Sequence, residues 1–271
     1  MVGFLEKYLT ARNEKQSVLC VGIDPVSHFL NPEKNSIDRH YFEDTPEVDG
    51  MFNFCMDIIE NVSDYCCAIK PNMQFVMPFS LDMYRKMNAL AHKHGLVTIL
   101  DNKLGDIGSS NKSSFYWVRQ AGFDALTFSP FAGNISEASA GAHDAGVGLI
   151  VLTLMSNPDS KYFMRESSVG GTTGYSWIAQ QIGKTNADGA VVGATHTKKE
   201  EVMEIRKGIG NDAVILIPGV GAQGGDLSET IDAFGRNILV NVGRSVIYSQ
   251  NPNETAKKYN GMVNRLVDLG D

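Results

Sequence analysis

The sequence predicts an α/β protein built as a single (β/α)8 TIM barrel, with a lead-in helix at its N-terminus and one domain spanning residues 1–271. Three observations predict this fold. Short runs rich in Val, Ile and Leu recur along the chain, helix-length segments separate them, and polar residues follow several of the runs. Such alternation is typical of parallel strands joined by crossover helices.

Eight runs have the length and composition of buried strands, which is enough to close a barrel. They are residues 17–24, 65–70, 96–101, 125–128, 148–154, 190–193, 213–218 and 238–242. A doubly wound open sheet shows the same alternation, so the polar residues decide between the two. Barrel enzymes assemble their sites at the carboxyl ends of the strands. The residues at or just beyond the carboxyl end of a predicted strand are Asp24, Lys70, Asp101, Ser156, Gly219 and Arg244. An open sheet would bring only some of them together.

The segments between the strands have helical length and periodicity. The predicted helices are residues 81–94, 109–121, 135–145, 174–185, 198–208 and 253–269, and the segment before Asn237 has the weakest helical pattern. Residues 1–16 mix charged and apolar side chains and predict an amphipathic lead-in helix. One long insertion, residues 25–50, follows the first strand.

The composition indicates a soluble globular protein, with 43% hydrophobic and 20% charged residues. A formal charge of −7 argues against a nucleic-acid binder with a broad basic surface. The N-terminus lacks the apolar core of a signal peptide, and no apolar run reaches the roughly 18 residues of a membrane span. We therefore expect a cytoplasmic protein with neither a nucleic-acid nor a membrane partner.

The four cysteines, Cys20, Cys55, Cys66 and Cys67, form neither a CxxC pair nor a secreted disulfide framework. This pattern predicts free buried thiols. Cys66 and Cys67 should face opposite ways, because successive side chains of a strand alternate.

The third predicted strand ends in two charged residues. Val97, Ile99, Asp101 and Lys103 share one parity, so if the first two fill the barrel interior, Asp101 and Lys103 rise from it. A structural salt bridge is one interpretation, because buried ions need partners. The position at the carboxyl end of a strand, beside further charged residues, favours a functional pair.

Two further charged residues should extend this pair. Lys70 ends the second strand, and Asp106 follows in a glycine-containing turn that could direct its carboxylate back or across to another subunit. Acids and bases would then alternate, and opposite neighbours keep each group ionised. A protonated Lys103 between carboxylates could donate a proton to a strongly basic carbon, which suits carbanion chemistry.

Glycine-rich segments after the last two strands point to phosphate. Residues 219–226 follow the seventh strand, and Gly243 and Arg244 follow the eighth. Loops at these places commonly bind phosphate in barrels, and Arg244 adds a bidentate donor. Turn formation alone is the alternative interpretation. We expect residues 219–226 to close over the substrate and exclude water.

The sequence predicts neither a cofactor nor a metal. Residues 219–224 match GxGxxG, but they lie late in the chain, and the next strand ends in Asn241 where an acidic residue would be expected. His92 and His94 are two apart on a predicted helix, so they do not face each other and indicate a solvated surface. The acids of the third strand and its turn could hold Mg²⁺, but the neighbouring lysines would compete for their oxygens.

Together these residues resemble the orotidine 5'-phosphate decarboxylase family. Its pattern D-x-K-x-x-D-I stands here as Asp101, Lys103, Asp106 and Ile107. Further motifs in family order, between residues 18 and 249, are GIDP at 22–25, KPN at 70–72, MSNP at 155–158, the run 219–226 and GR at 243–244. The KPN motif and the long insertion resemble the longer branch of the family.

The resemblance implies decarboxylation of orotidine 5'-monophosphate to UMP and CO2, the last step of de novo pyrimidine synthesis, without cofactor or metal. Asp101 is implied to lie against the substrate carboxylate, and Lys103 to protonate a carbanion at C6. The implied binding residues are Asp24, Lys70 and Asn72 at the ribose, Ser156 at the pyrimidine edge, Gln223 between pyrimidine and phosphate, and Gly243 with Arg244 at the phosphate.

The resemblance also implies a homodimer with shared active sites. Asp106, Ile107 and Ser110 would come from the partner subunit. Ser110 stands where the family pattern has threonine, and either hydroxyl can donate to a ribose oxygen.

Two alternatives stay open. Metal-dependent ketogulonate-phosphate decarboxylases and hexulose-phosphate synthases resemble this chain in their D-x-K-x-x-D strand, but they carry an acid where Lys70 stands. The other alternative is a catalytically silent nucleotide-binding barrel. The presence of all four charged residues argues against it.

Overall fold

The computed structural model of the protein describes residues 2–30, 36–219 and 231–267. Its strands are β1 (Leu19–Ile23), β2 (Ala68–Pro71), β3 (Val97–Leu104), β4 (Ala125–Phe128), β5 (Gly148–Leu154), β6 (Ser168–Val169), β7 (Thr172–Thr173), β8 (Gly189–Val192), β9 (Val214–Ile217) and β10 (Ile238–Val242). Eight of them close into a barrel in the order β1-β10-β9-β8-β5-β4-β3-β2, and β6 and β7 form a separate antiparallel pair. All barrel pairings are parallel, so the predicted fold class is confirmed.

Helices surround the barrel. In the described residues they are α1 (Phe4–Lys15), α2 (Glu47–Val62), α3 (Met73–Val76), α4 (Leu81–Lys93), α5 (Gly108–Gln120), α6 (Ile135–Asp144), α7 (Ser160–Met164), α8 (Gly174–Thr185), α9 (Lys199–Ile209), α10 (Ile231–Phe234), α11 (Arg244–Ile247) and α12 (Pro252–Asn264). Predicted helix ends agree within one residue at all but two places. Helix α1 begins at Phe4 instead of at the start of the predicted segment 1–16, and α12 stops at Asn264 instead of continuing towards residue 269. The predicted end at residue 269 lies outside the described residues.

Helix α2 corrects the prediction of an insertion over residues 25–50. The helix begins at Glu47, directly after Pro46. Met51, Cys55, Ile58 and Val62 are buried along one face, at the spacing of an amphipathic helix. Residues 47–50 therefore belong to a helix packed on the outer surface of the barrel and not to the predicted insertion.

Alternate side chains of the strands fill the barrel. Val97 and Ile99 belong to the interior cluster, whereas Leu100 packs outward against the helices. The predicted inward parity of β3 is thus confirmed. Cys67 lies in the interior cluster and Cys66 in the outer one, so these neighbours face opposite ways as predicted. All four cysteines are buried free thiols.

Helix α1 closes the amino-terminal end of the barrel. Phe4 and Tyr8 pack into the interior cluster, and Tyr8 Oη donates to the Ile238 carbonyl at 2.8 Å. Lys7 Nζ lies 2.7 Å from Asp124 Oδ1. The lead-in helix is confirmed. It leaves the carboxyl ends of the strands, with their polar residues, at the opposite end of the barrel.

The prediction that His92 and His94 are solvated surface residues is confirmed for His92, whose side chain is 41% exposed, whereas the side chain of His94 is only 25% exposed. His92 Nε2 lies 2.9 Å from Asp124 Oδ2, and His94 Nε2 lies 3.4 Å from Glu60 Oε2. The two imidazole rings contact different carboxylates, as expected for side chains that do not face each other. In the part of the chain that the structure describes, no helix has both the length and the apolarity needed to cross a membrane.

Candidate active site

The carboxyl ends of β1, β2 and β3 bring three charged residues to one end of the barrel. On β2, Ala68 faces the interior cluster, so Lys70, two residues later, also faces inward. On β3, Ile99 orients Asp101 inward in the same way. Asp24 directly follows β1. Parallel strands of a barrel end at the same face, so Asp24, Lys70 and Asp101 lie around one opening, which we call the mouth.

Lys70, Asp101 and Lys103 form one hydrogen-bonded charge network. Lys70 Nζ lies 2.7 Å from Asp101 Oδ2, and Lys103 Nζ lies 2.7 Å from Asp101 Oδ1. The side chain of Lys70 is 6% exposed, whereas that of Lys103 is 37% exposed. Lys70 is therefore a buried cation, and Lys103 is the cation that reaches the accessible mouth of the barrel.

Charge compensation sets the protonation of this network. Burial alone would raise the pKa of Asp101, but the ammonium groups of Lys70 and Lys103 outweigh it and hold the pKa well below its ordinary value. Burial also opposes the charged form of Lys70, yet Asp101 and Asp24 raise the pKa of Lys70 above its ordinary value. At neutral pH, Asp101 is a carboxylate and Lys70 an ammonium.

Regular strand alternation does not by itself place Lys103. The pairing of β3 with β4 shifts register between Leu100 and Leu104. Lys103 has φ 52°, in the left-handed region that residues other than glycine rarely adopt. The side chains of Asp101 and Lys103 do meet, as predicted, but through an irregularity in the strand.

Thr127 is a residue of this site that sequence reasoning missed. It lies on β4 and is 1% exposed. Its Oγ1 accepts a hydrogen bond from the Lys103 backbone N–H at 2.9 Å and donates one to Asp101 Oδ1 at 2.9 Å. Thr127 belongs to no motif. The inward parity of Ala125 on the same strand is the one signal that could have found it.

Asp24 contributes an unused acceptor beside the network. Its Oδ1 is buried and has no hydrogen-bond partner among the described residues. Burial raises the pKa of Asp24, while Lys70 opposes that rise. Tyr248 fixes the adjoining backbone, because its hydroxyl donates to the Asp24 carbonyl at 2.7 Å and accepts from the Val26 N–H at 2.6 Å. An unsatisfied buried oxygen is costly, so this position suits a ligand hydroxyl.

Asn72 joins the second and third strands at the mouth. It forms an isolated parallel bridge with Asp101, and its backbone N–H donates to the Ile23 carbonyl at 3.2 Å. Its side-chain Oδ1 accepts from the Gln74 N–H at 3.2 Å, which caps α3. The side-chain carbonyl of Asn72 is therefore already engaged, and its amide group is the donor that it could offer a ligand.

The structure does not bring Asp106 to the two lysines. Its Oδ1 accepts from the Ile107 N–H at 2.8 Å, and it forms no ion pair with any described residue. Asn134 Nδ2 donates to the Asp106 carbonyl at 3.0 Å and holds the turn. Ile107 is 61% exposed, and Ser110 is exposed on the first turn of α5. Asp106, Ile107 and Ser110 thus form a solvent-facing segment directly after β3.

The opposite side of the mouth is built from close backbone approaches. A Cβ on Gly193, at the end of β8, would lie 2.8 Å from the Cβ of Ser156, so only glycine lets β8 approach the residue that follows β5. A Cβ on Gly22 would lie 3.3 Å from the Cα of Gly243. Arg244 follows, exposed at the start of α11, and its guanidinium makes no hydrogen bond or ion pair with a described residue.

The predicted phosphate site lies only partly within the described residues. Of the run 219–226, only Gly219 belongs to the described residues, and its φ of 93° fits glycine at the end of β9. Gln223, and with it the expected closure of this run, lies outside the described residues.

The donor set of this mouth is poorly suited to a divalent metal. Within residues 2–30, 36–219 and 231–267, no group of three His, Cys, Asp or Glu residues is arranged to hold a metal ion. Asp101 already accepts from the ammonium groups of Lys70 and Lys103. Those two positive charges would oppose a bound Mg²⁺.

The sequence is similar to that of a known enzyme family. The sequence model of the "Orotidine 5'-phosphate decarboxylase / HUMPS family" matches residues 17–259. The chain belongs to this family. Membership confirms the resemblance that the D-x-K-x-x-D-I motif indicated.

Curated relatives in this family match over most of their length. The orotidine 5'-phosphate decarboxylase of Roseiflexus castenholzii is 33% identical over 258 residues, which cover 92% of this chain and 90% of the relative. That of Cupriavidus metallidurans is 32% identical over 265 residues, which cover 93% and 92%.

Solved structures in the family share the barrel. A Streptomyces avermitilis protein assigned as an orotidine 5'-phosphate decarboxylase has a TM-score of 0.81 at 27% identity, with 99% of this chain and 97% of that chain covered. A Toxoplasma gondii protein with the corresponding assignment has a TM-score of 0.81 at 25% identity, with 97% and 96% covered. The Methanocaldococcus jannaschii decarboxylase, complexed with the inhibitor BMP, has a TM-score of 0.69 at 24% identity, with 91% and 98% covered, and supports the fold alone.

Proposed function

We propose that this protein decarboxylates orotidine 5'-monophosphate to UMP and CO2, the last step of de novo pyrimidine synthesis. The observation that carries the proposal is the network at the barrel mouth, in which Asp101 lies 2.7 Å from both Lys70 and Lys103. Relatives of similar length that bear this activity in their names support the same substrate.

In the proposed reaction, the bond between C6 and the carboxylate carbon breaks and CO2 leaves. The bonding electron pair stays on C6 as a vinyl carbanion. The ammonium of Lys103 would interact more strongly with this localised charge than with the delocalised carboxylate of the substrate, which is the differential binding that lowers a barrier. Lys103 would then transfer a proton to C6 and yield UMP. Its accessible side chain supports this role.

Asp101 would lie against the carboxylate of the substrate. The two lysines keep the pKa of Asp101 low despite its burial, so it would remain ionised beside a second negative charge. Repulsion between the two carboxylates would be relieved as CO2 leaves. Lys70 would compensate Asp101 from the barrel interior, because a buried carboxylate without a partner is strongly disfavoured.

The remaining polar residues of the mouth would bind the rest of the nucleotide. The Oδ1 of Asp24, which has no partner in the described part of the chain, would accept a hydrogen bond from a ribose hydroxyl, with Lys70 and Asn72 nearby. A hydroxyl donor there would remove the cost of an unsatisfied buried oxygen. The further assignments are Ser156 at the pyrimidine edge, Gln223 between pyrimidine and phosphate, and Gly243 with Arg244 at the phosphate.

We propose that Asp106, Ile107 and Ser110 complete the active site of a partner subunit in a homodimer. Within the described chain, the carboxylate of Asp106 pairs with neither lysine. Ile107 is 61% exposed, and Phe131, in the segment just before Asn134, is 85% exposed. Exposed apolar side chains of this kind are typical of protein interfaces. An interface over this segment would cover them and carry Asp106 to a second network.

We further propose that residues 1–271 act as one catalytic domain in the cytoplasm. The four buried cysteines support this location, because all are free thiols and free thiols persist in a reducing compartment.

The decisive experiment measures turnover without metal. Purified protein treated with EDTA is incubated with orotidine 5'-monophosphate, and loss of the ultraviolet absorbance of the substrate is followed. We expect turnover that added Mg²⁺ does not increase. Lys103→Ala should abolish it, whereas Lys258→Ala, at an exposed position of α12, should not.

Two results would overturn the proposal. Turnover that requires added metal would place the protein with the metal-dependent sugar-phosphate decarboxylases and synthases. Absence of turnover in folded wild-type protein would favour a silent nucleotide-binding barrel.

A further inference from the structure

Lys103 has a backbone conformation that is unusual for a residue with a side chain. It lies within β3 at φ 52°, and the pairing of β3 with β4 shifts register around it. In this region the Cβ of an L-residue crowds its own carbonyl, so the conformation is disfavoured. A specific interaction must therefore hold Lys103 where its ammonium reaches Asp101.

The hydroxyl of Thr127 supplies that interaction. Its Oγ1 lies 2.9 Å from the backbone nitrogen of Lys103 and 2.9 Å from Oδ1 of Asp101. An amide N–H can only donate and an ionised carboxylate can only accept, so the single hydroxyl hydrogen points to Asp101 and a lone pair receives Lys103. One buried oxygen thus ties the backbone of Lys103 to the carboxylate that its ammonium also contacts.

A second buried threonine, Thr153, has a hydroxyl with a purely structural role and serves for comparison. Thr153 on β5 is fully buried, and its Oγ1 donates to the Val151 carbonyl at 2.9 Å. That bond satisfies local backbone alone. Thr127, in contrast, bonds two residues that the reaction is proposed to use.

We propose that Thr127 is a positioning residue that sets the ammonium of Lys103 against Asp101. This inference rests on the proposed role of Lys103 as proton donor. Loss of the hydroxyl would leave the Lys103 N–H without its partner and let the strand relax towards regular geometry. The ammonium would then move away from its reactive position. A displacement of about 1 Å at a reacting group costs on the order of 100-fold in rate.

The kinetic test compares three variants with wild-type protein. Thr127→Val keeps the shape and removes the hydroxyl, Thr127→Ser keeps the hydroxyl, and Thr153→Val is the matched control on the neighbouring strand. We expect Thr127→Val to lower kcat by about 10- to 100-fold with little change in KM. Thr127→Ser and Thr153→Val should retain kcat near that of wild type.

If Thr127→Val folds poorly, Thr127→Ala and Thr127→Ser give the same comparison of hydroxyl absent and present. A wild-type kcat without the hydroxyl would overturn the inference. So would a loss confined to KM, because the hydroxyl is inferred to act through Lys103 and not on substrate binding.

A second measurement needs no substrate. Hydrogen exchange of the peptide that contains residues 101–104 reports whether the Lys103 amide is protected. Exchange should be faster in Thr127→Val than in wild type, and slow in Thr127→Ser. Equal exchange in all three would overturn the inference even in a protein that decarboxylates the substrate. Inactive wild-type protein with the expected exchange pattern would contradict only the proposed function.

Discussion

Nζ of Lys70 lies 2.7 Å from Oδ2 of Asp101, and the lysine side chain is 6% exposed. The carboxylate also accepts from Lys103 at 2.7 Å and from Thr127 at 2.9 Å. Three donors therefore satisfy one acid at the base of the mouth. Lys70 also faces Asp24, whose charge raises the pKa of the lysine together with that of Asp101. This buried cation balances two carboxylates, and its removal should affect stability as well as activity.

Replacing Lys70 with Met is expected to lower the free energy of unfolding by about 3 kcal/mol, because it leaves buried negative charge less compensated. Urea unfolding at neutral pH measures the change. The control is Lys86→Met. Lys86 pairs with Asp82 at the surface, where their side chains are 62% and 69% exposed, and its loss should cost no more than about 0.5 kcal/mol.

The double variant Lys70→Met with Asp101→Asn gives the internal check. Removing the carboxylate together with its partner should recover part of the lost stability, because less uncompensated charge remains buried. If the double variant is no more stable than Lys70→Met, charge compensation is not what the lysine contributes.

The carboxyl group of Asp124 should make stability depend on acid pH. Burial alone would raise the pKa of Asp124, but the hydrogen bonds from His92 and Lys7 lower it to about 2, from an ordinary value of 3.8. A depressed folded pKa contributes stability that is present above the unfolded pKa and is lost as pH falls through the folded one. The contribution of the ionised Asp124 to the free energy of unfolding should therefore be complete above about pH 5 and decline towards pH 2.

Asp124→Asn tests this dependence. At pH 6 we expect the free energy of unfolding of the variant to be about 2 kcal/mol lower than that of wild type. This difference in stability should become steadily smaller as the pH is lowered to about 2.5. Asp82→Asn, at an exposed position, should show no comparable gap. A gap of constant size across this range would contradict the ionisation model and point to packing alone.

The sequence predicts well those parts of the site that follow from the alternation of inward and outward side chains along a strand. The positions of Lys70 and Asp101 follow from Ala68 and Ile99, because strands in a closed barrel keep strict inward and outward parity. The left-handed Lys103 does not follow from parity. Its conformation depends on Thr127, 24 residues further along the chain on the next strand, and no local pattern encodes that contact.

Helix α2 and the pair formed by His92 and Asp124 show the same limit. The first turn of α2 contains Glu47, Asp49 and Gly50, which resemble a loop, and its apolar face becomes evident only further along. His92 is exposed, as its polar stretch predicts, but that stretch gives no sign of the contact with Asp124, 32 residues later at the amino-terminal end of β4. Tertiary packing decides both cases.

Mixing two inactive variants tests whether Asp106 crosses between subunits. Lys103→Ala and Asp106→Ala should each be inactive alone. In a mixed dimer, the site of the Asp106→Ala chain would keep its own Lys103 and receive an intact Asp106 from the partner. Random mixing should therefore restore about a quarter of the wild-type sites. No recovery in a demonstrated mixed dimer would mean that both residues act within one chain.

Arg244 should discriminate a phosphorylated substrate from a bare nucleoside. Its side chain is exposed at the mouth and contacts no described residue through a hydrogen bond or ion pair, so the guanidinium is available for a phosphate. A charge-assisted hydrogen bond contributes about 1.5 to 3 kcal/mol, which corresponds to roughly 10- to 150-fold in kcat/KM. Arg244→Ala should lose this much with orotidine 5'-monophosphate and little with orotidine. Arg265→Ala, exposed after α12, should leave both unchanged. Equal losses of kcat/KM with the two substrates would mean that the guanidinium supports the fold of the mouth and does not bind the phosphate.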